Sequence, residues 1–474
     1  MTQTKNNTDV KVIPLVFVLI MGVFIAILSQ TLLGTALPPI MKDLQISAST
    51  AQWLQSSVLL IIGIMVPITA FLIGKFTTRQ LFFIAMGSFT IGTAICAISP
   101  NFSTLLVGRV IQGAGAGIMM PLMQTILFVV FPAEKRGSIM GLFGLVITLA
   151  PAMGPTLSGL LVDHYPWSYI FWIILVISII DLVCAYFFIK NVTEQTSPKV
   201  DLVSILFSSL GFGGLLYGFS AAGDTGWVNI EVLLTLIIGV FSLFIFIWRQ
   251  MKHPTILEFR VFRYGVFALS TGITMIIYLS MIGATAILPI YMQNMHHYTA
   301  TESGLMLLPG AIMMGIMSLF SGRLYDKLGT FGAKWLSILG LGMVTITTWM
   351  LSYLTTETTF LYLSIVYFFR MLGIGMVMTP ITTLAINQLP KKLIPHGTAM
   401  NNTMRQIAGA LGTAILITIM TNSSSGNGKR MDGSIDGVNM SFMVATILAA
   451  IGMILSIFLR RSEPKEVGTV TNSK

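Results

Sequence analysis

Long apolar runs recur along the whole chain between short polar segments, and their lengths predict fourteen membrane-spanning helices. The runs cover 12–37, 52–74, 81–98, 104–128, 138–162, 167–189, 202–221, 232–248, 266–291, 303–322, 335–354, 360–386, 398–421 and 441–459. A helix rises about 1.5 Å per residue, so about 20 apolar residues cross a hydrocarbon core of roughly 30 Å. Composition agrees: 55% hydrophobic and 9% charged residues leave too little polar surface to coat a water-soluble protein of 474 residues. The expected fold class is an all-α membrane protein with the lipid bilayer as its solvent.

The polar segments carry the orientation. An even number of spans puts both termini on one side. With that side cytoplasmic, the inner segments hold 21 of the 27 Lys and Arg residues, and only Lys42, Lys429 and Arg430 fall outside. The remaining three, Arg109, Arg370 and Arg405, lie within spans. This is the positive-inside pattern, and losing one helix would scramble it. It also accounts for the formal charge of +10 without a nucleic-acid partner. The first run is too long for a signal peptide and no small-residue cleavage site follows it, so it reads as a retained first helix. Cys96 and Cys184 sit in apolar spans, which implies no disulfide framework. A multi-pass protein of the cell membrane, with both termini cytoplasmic, is expected.

The inner segments 191–201 and 250–263 are longer than the rest and flank spans seven and eight, which marks that pair as an insert. The expected organisation is a six-helix half over 1–190, an inserted two-helix segment over 191–260, and a second six-helix half over 261–474. The two halves share a pattern. RVIQGAGAGIMMP ends at Pro121 and RMLGIGMVMTP ends at Pro380, and each is followed by a proline-containing basic loop, FPAEKRGS and LPKKLIPHGT. Transporters are commonly built from such repeats with the substrate path between them.

Six elements in order, SQTLLGTALP, GRVIQGAGAG, GLVITLAPAMGPTLSG, WSYIF, SGRLYDKLG and NNTMRQIAGALGTA, give the chain a specific likeness. It resembles the major facilitator superfamily, in particular the fourteen-helix drug:proton antiporter branch that includes EmrB-like and lincomycin-resistance-like exporters. The resemblance implies a monomeric multidrug efflux transporter that exchanges protons for hydrophobic or amphipathic small molecules by alternating access. It implies no enzymatic activity, and neither a cofactor nor a metal is expected. An exporter of an endogenous metabolite or anion on the same fold stays open. So do an uptake symporter, which the fifth-span element argues against, and a channel or non-transporting sensor.

An arginine within a span is costly, so Arg109 is expected to face a cavity or a partner, with Gln112 on the same face one turn on. By resemblance Arg109 takes part in proton coupling or substrate binding; a structural hub that locks its helix is the other reading. The branch places an aspartate in the first span where this chain has Ser29, followed by Gln30. From the helical rise, Ser29 lies about 26 Å from the inner end of its helix and Arg109 about 10 Å from the outer end of its own. Within a core of roughly 30 Å, these depths differ by about a turn. With the usual acid missing, the deepest of the 17 acids is Asp181 in the sixth span, expected to carry the proton or to serve as a structural partner. Gln30, Arg109, Gln112 and Arg370 are the expected substrate contacts. Gly144, Gly154, Pro155 and Gly159 let the fifth span bend and pack closely. By resemblance Gly322, Asp326 and Gly329 belong to the superfamily's inner-loop latch, in which Asp326 pairs a cation or caps a helix, and Arg405 is expected near the inner gate or as a tether between helices.

Overall fold

The computed structural model describes residues 12–193, 195–196, 201–252, 256–422 and 435–460, and every regular element among them is helical. In chain order these are α1 (Val12–Leu44), α2 (Ala48–Lys75), α3 (Thr78–Ala97), α4 (Phe102–Val130), α5 (Arg136–His164), α6 (Ser168–Phe188), α7 (Leu202–Thr225), α8 (Ile230–Lys252), α9 (Gly265–Met295), α10 (Ala300–Met350), α11 (Phe360–Asn387), α12 (Ile394–Asn422) and α13 (Ile435–Ile457). Lipid offers the backbone no hydrogen-bond partner, so each apolar run satisfies its own amides as a helix.

Thirteen helices supply fourteen crossings because α10 is two. Its 51 residues would reach about 77 Å, far more than one bilayer. Gly329, at φ 58° and ψ −136°, breaks it into limbs 300–328 and 330–350. Only glycine adopts that conformation at little cost, so Gly329 turns the chain where the pattern predicts an inner loop. The helices also overrun their apolar cores. Polar caps start them early: Asn101 Oδ1 accepts from the Thr104 amide at 3.0 Å at the head of α4, and capping boxes at Thr77–Gln80 and Thr299–Glu302 open α3 and α10. The last helix likewise begins at Ile435, six residues before the apolar run at 441, and so takes up part of the outer loop between spans thirteen and fourteen. The rest of that loop, 423–434 with Ser424, Lys429 and Arg430, lies outside the described residues, as do Lys5, Lys11, Lys199, Arg461, Lys465 and Lys474 of the basic pattern.

Glycine placement sets the packing of α4. A Cβ on Gly108 would meet Gly92 O of α3 at 2.9 Å, and one on Gly113 would meet Val58 O of α2 at 3.2 Å. The motif glycines thus clamp α4 between α2 and α3 at backbone distance, with Arg109 in the middle. α11 is held the same way, Gly373 against Gly340 and Gly375 against Met314 on the two limbs of α10.

α6 shows lipid and core on opposite faces. Ile173, Val176, Ile180, Val183 and Phe187 are exposed, while Ile170, Ile174, Ser178, Asp181 and Ala185 are buried. The pair α7–α8 is joined by the Arg249–Asp201 ion pair at 2.8 Å. α7 wedges between α2 and α12: Gly213 faces Ile64, and Trp227 just beyond α7 donates to Thr418 Oγ1 at 2.7 Å.

Candidate transport site

Arg109 is buried, and its partners are neutral. Its Nε donates to the carbonyl of Leu54 on α2 at 3.1 Å, and its Nη1 donates to Gln112 Oε1 at 2.7 Å. Gln112 passes the connection on, donating from Nε2 to Ser29 Oγ of α1 at 3.3 Å and to Thr93 Oγ1 of α3 at 2.6 Å. Ser29 therefore stands level with the arginine region, as the depth argument requires, with a glutamine between them. Nη2 of Arg109 is buried with no hydrogen-bond partner.

The arginine borders a cavity of about 340 Å3 whose other walls are Gln30, Thr31, Gln55, Val58, Leu59 and Pro151. It is built from α1, α2, α4 and α5, and its size falls at the lower end of drug-sized pockets. Gln30 spends one amide hydrogen on the Ala26 carbonyl at 3.3 Å.

Asp181 is absent from this wall. It is the only buried carboxylate among the described residues, and its Oδ2 has no hydrogen-bond partner. A Cβ on Gly22 of α1 would lie 3.2 Å from that oxygen. The absence of a side chain at Gly22 leaves room for the acid between α6 and α1. Gly22 is seven residues before Ser29, about 10 Å along the helix. An edge position for the sixth span thus coexists with an inward-facing acid.

The second half repeats the arginine away from this cavity. Arg370 is fully buried, with Nε donating to Thr348 Oγ1 at 3.1 Å and Nη2 to the Ser280 carbonyl and Oγ at 2.8 and 3.1 Å. It is not brought together with Gln30 or Arg109. Arg405 lies over the ring of Tyr278 on α9, 4.2 Å from its centroid, and donates to its hydroxyl.

The expected latch is a helix cap. Asp326 accepts from the Gly137 and Ser138 amides at 2.7 Å each and from the Ser138 hydroxyl, closing the start of α5. Beside it Arg136 donates to Asn387 Oδ1 at 2.7 Å, and Asn387 donates to Tyr325 OH at 3.0 Å. Along the same contact, Gly137, Gly141 and Gly144 of α5 meet Ser318 and Gly322 of α10; a Cβ on Gly322 would stand 3.2 Å from Gly141 Cα. Gly154 packs on Thr31 of α1 instead, a Cβ there meeting Thr31 Cβ at 2.6 Å, and nothing lies within 4 Å of Gly159. Pro155 continues α5 next to Gly154.

A model of the Major Facilitator Superfamily matches residues 19–413. The chain belongs to that superfamily. Its members are transporters, and the lincomycin-resistance and EmrB/EmrY relatives put it in the drug:proton antiporter branch. It is 48% identical over 452 residues to the uncharacterized MFS-type transporter YcnB of Bacillus subtilis strain 168, covering 95% of each chain. Against the lincomycin resistance protein LmrB of the same strain it is 41% identical over 474 residues, covering 97% of this chain and 98% of that one. The crystal structure of the human organic anion transporter MFSD10 shares the fold, with a TM-score of 0.68 at 13% identity, over 94% of this chain and 99% of that one.

Several neighbours of this MFS transporter's site were not singled out from its sequence. Gln55 and Thr31 line the cavity, Thr93 anchors Gln112, and Gln124 Oε1 accepts from Asn402 Nδ2 at 2.6 Å beside a Thr125–Thr398 contact at 2.8 Å that joins α4 to α12. Gln55 was legible as an amide inside an apolar run. Thr93 was not, since threonine in a helix commonly bonds its own backbone, as this one also does to Phe89 O at 2.8 Å.

Proposed function

We propose that the protein is a monomeric, proton-coupled multidrug exporter of hydrophobic and amphipathic small molecules, working by alternating access in the cell membrane with both termini cytoplasmic. The six-helix halves 1–190 and 261–474 move about the substrate path, and 191–260 is an inserted pair. One observation carries this reading: the halves are tied at the end bearing Asp326 and Arg136 and again at Gln124–Asn402, while the Arg109 cavity lies toward the other end. Arg109 is about 32 Å along α4 from Val130. A site closed off from one side is one half of an alternating-access cycle. The names of the lincomycin-resistance relatives support drugs as cargo.

Gln30, Arg109 and Gln112 form the substrate region. Gly144, Gly322 and Asp326 hold the gate shut, Gly154 and Pro155 let α5 adjust, Gly329 pivots the limbs of α10, and Arg405 steadies α12. Arg370 clamps the second half. Asp181 carries the proton, and Arg109 senses it through α1, which packs against both.

Efflux from proteoliposomes with an imposed pH gradient tests the reading, with saturable gradient-driven flux of amphipathic drugs expected. Its absence would overturn the proposal. Asp181→Asn should bind drug within about threefold of wild type yet lose gradient-driven accumulation, since an amide has no proton to release. Unchanged accumulation would move coupling to another group.

A further inference from the structure

The guanidinium of Arg109 has no compensating charge. Its bonded acceptors, the Leu54 carbonyl and Gln112 Oε1, are neutral, and Nη2 is buried and unpartnered. Both ion pairs among the described residues, Arg249–Asp201 and Arg260–Glu258, lie elsewhere. Asp181 packs against Gly22, outside the cavity. An isolated cation in a low-dielectric site is unfavourable until an anion or water completes it. Gln112 holds Ser29 and Thr93 with its own amide, so neither hydroxyl is turned to the arginine. Arg109 lines the cavity together with the amides of Gln30 and Gln55, and the side chains of Val58 and Leu59 give it an apolar surface.

We propose that this cavity selects amphipathic molecules bearing a carboxylate or a similar oxyanion, which pairs with the uncompensated charge of Arg109 while the apolar body lies along Val58 and Leu59. The anion is that of a soluble substrate; water occupies the position between substrates. The volume of about 340 Å3 suits a body of one or two fused rings. The proposal rests on the transport reading only in treating this binding as loading for export.

Equilibrium binding to the purified protein in nanodiscs of neutral lipid provides the test, with radiolabelled 1-naphthylacetate, 1-naphthylacetamide and 1-naphthylethylamine as size-matched probes. The acid should bind about tenfold or more tighter than the amide, the gain of one charge-assisted hydrogen bond, and the amine should bind weakest. Arg109→Gln should level acid and amide to within about twofold, and Arg109→Lys should keep part of the preference. Equal wild-type affinities, preference for the amine, no binding of any probe at millimolar concentration, or a preserved acid preference in Arg109→Gln would each overturn the proposal. The wild-type order is informative even if the variants fail to fold. Loss of naphthylacetate binding when phosphatidylglycerol replaces part of the neutral lipid would assign the oxyanion to a lipid headgroup and overturn the soluble-substrate assignment. Acid preference without flux in proteoliposomes would sink the transport reading and leave the subsite standing. Gradient-driven flux without acid preference would do the reverse.

Discussion

Arg109 and Arg370 occupy the same place in the two halves yet do different things. Ser29 precedes Pro38 by nine residues and Ser280 precedes Pro289 by nine; Thr93 and Thr348 close the matching TIGT and TITT segments. Each half thus brings a serine from its first helix and a threonine from its third to the region of its arginine. Three residues after the arginine the halves diverge, to Gln112 and Gly373. In the first half the glutamine takes both hydroxyls and the arginine borders a cavity. In the second the glycine backbone packs on Gly340, no amide intervenes, and Arg370 itself binds Ser280 and Thr348. One residue separates an arginine that borders a cavity from one that binds its serine and threonine directly.

The largest contrast should come from removing each arginine. Arg370→Ala leaves Ser280 and Thr348 without their donor and should lower stability by about 3 kcal/mol, from at least two charge-assisted bonds of roughly 1.5 kcal/mol each. Fluorescence-detected size exclusion after a temperature ramp should show little folded protein. Arg109→Ala removes two bonds of the same kind, to the Leu54 carbonyl and Gln112 Oε1, so it should cost a similar amount of stability and, unlike Arg370→Ala, should also abolish substrate binding by the protein that stays folded. Retained binding in Arg109→Ala would erase the distinction.

Next comes the cavity wall near Arg109. Gly154→Leu should leave protein in the membrane but abolish flux, because the new side chain displaces Thr31 at the cavity. Gly159→Leu, with nothing within 4 Å, should transport normally. Normal flux in Gly154→Leu would detach α5 from the site.

Gln112→Gly gives the first half the pattern of the second. Arg109 should then turn to Ser29 and Thr93, and substrate affinity should fall about tenfold, the worth of one charge-assisted bond. Unchanged affinity in the equilibrium binding assay would show that Gln112 does not free the arginine.

The smallest effect concerns the insert. The Arg249 hydrogen bond holds the Asp201 carboxyl well below the usual aspartate range. A depressed carboxyl contributes stability that is fully present above the unfolded value of about 3.9 and is lost only as pH falls through the lower folded value. Asp201→Asn should therefore lower the melting temperature by the same small amount at pH 5 and pH 8. A difference that shrinks by pH 5 would place the titration in the working range.

Much of this was legible along the chain because it rests on local physics. Hydropathy and helical rise determined fourteen crossings and the common depth of Ser29 and Arg109. Helical period determined that Gln112 shares the arginine's face, and the scarcity of acids in apolar runs singled out Asp181. The turn at Gly329 coincides with the expected inner loop, and helix capping was one of two readings for Asp326. Tertiary structure alone decided which hydroxyls Gln112 takes, that Arg370 binds Ser280 and Thr348 directly and stands apart from the cavity, and that Gly154 packs on α1 while Gly159 meets nothing. It also assembled the cavity wall from residues up to about 120 positions apart, Gln30 on α1 to Pro151 on α5. Period and hydropathy say which residues share a face, but the neighbour that face meets depends on how distant segments pack, and no local pattern encodes that choice.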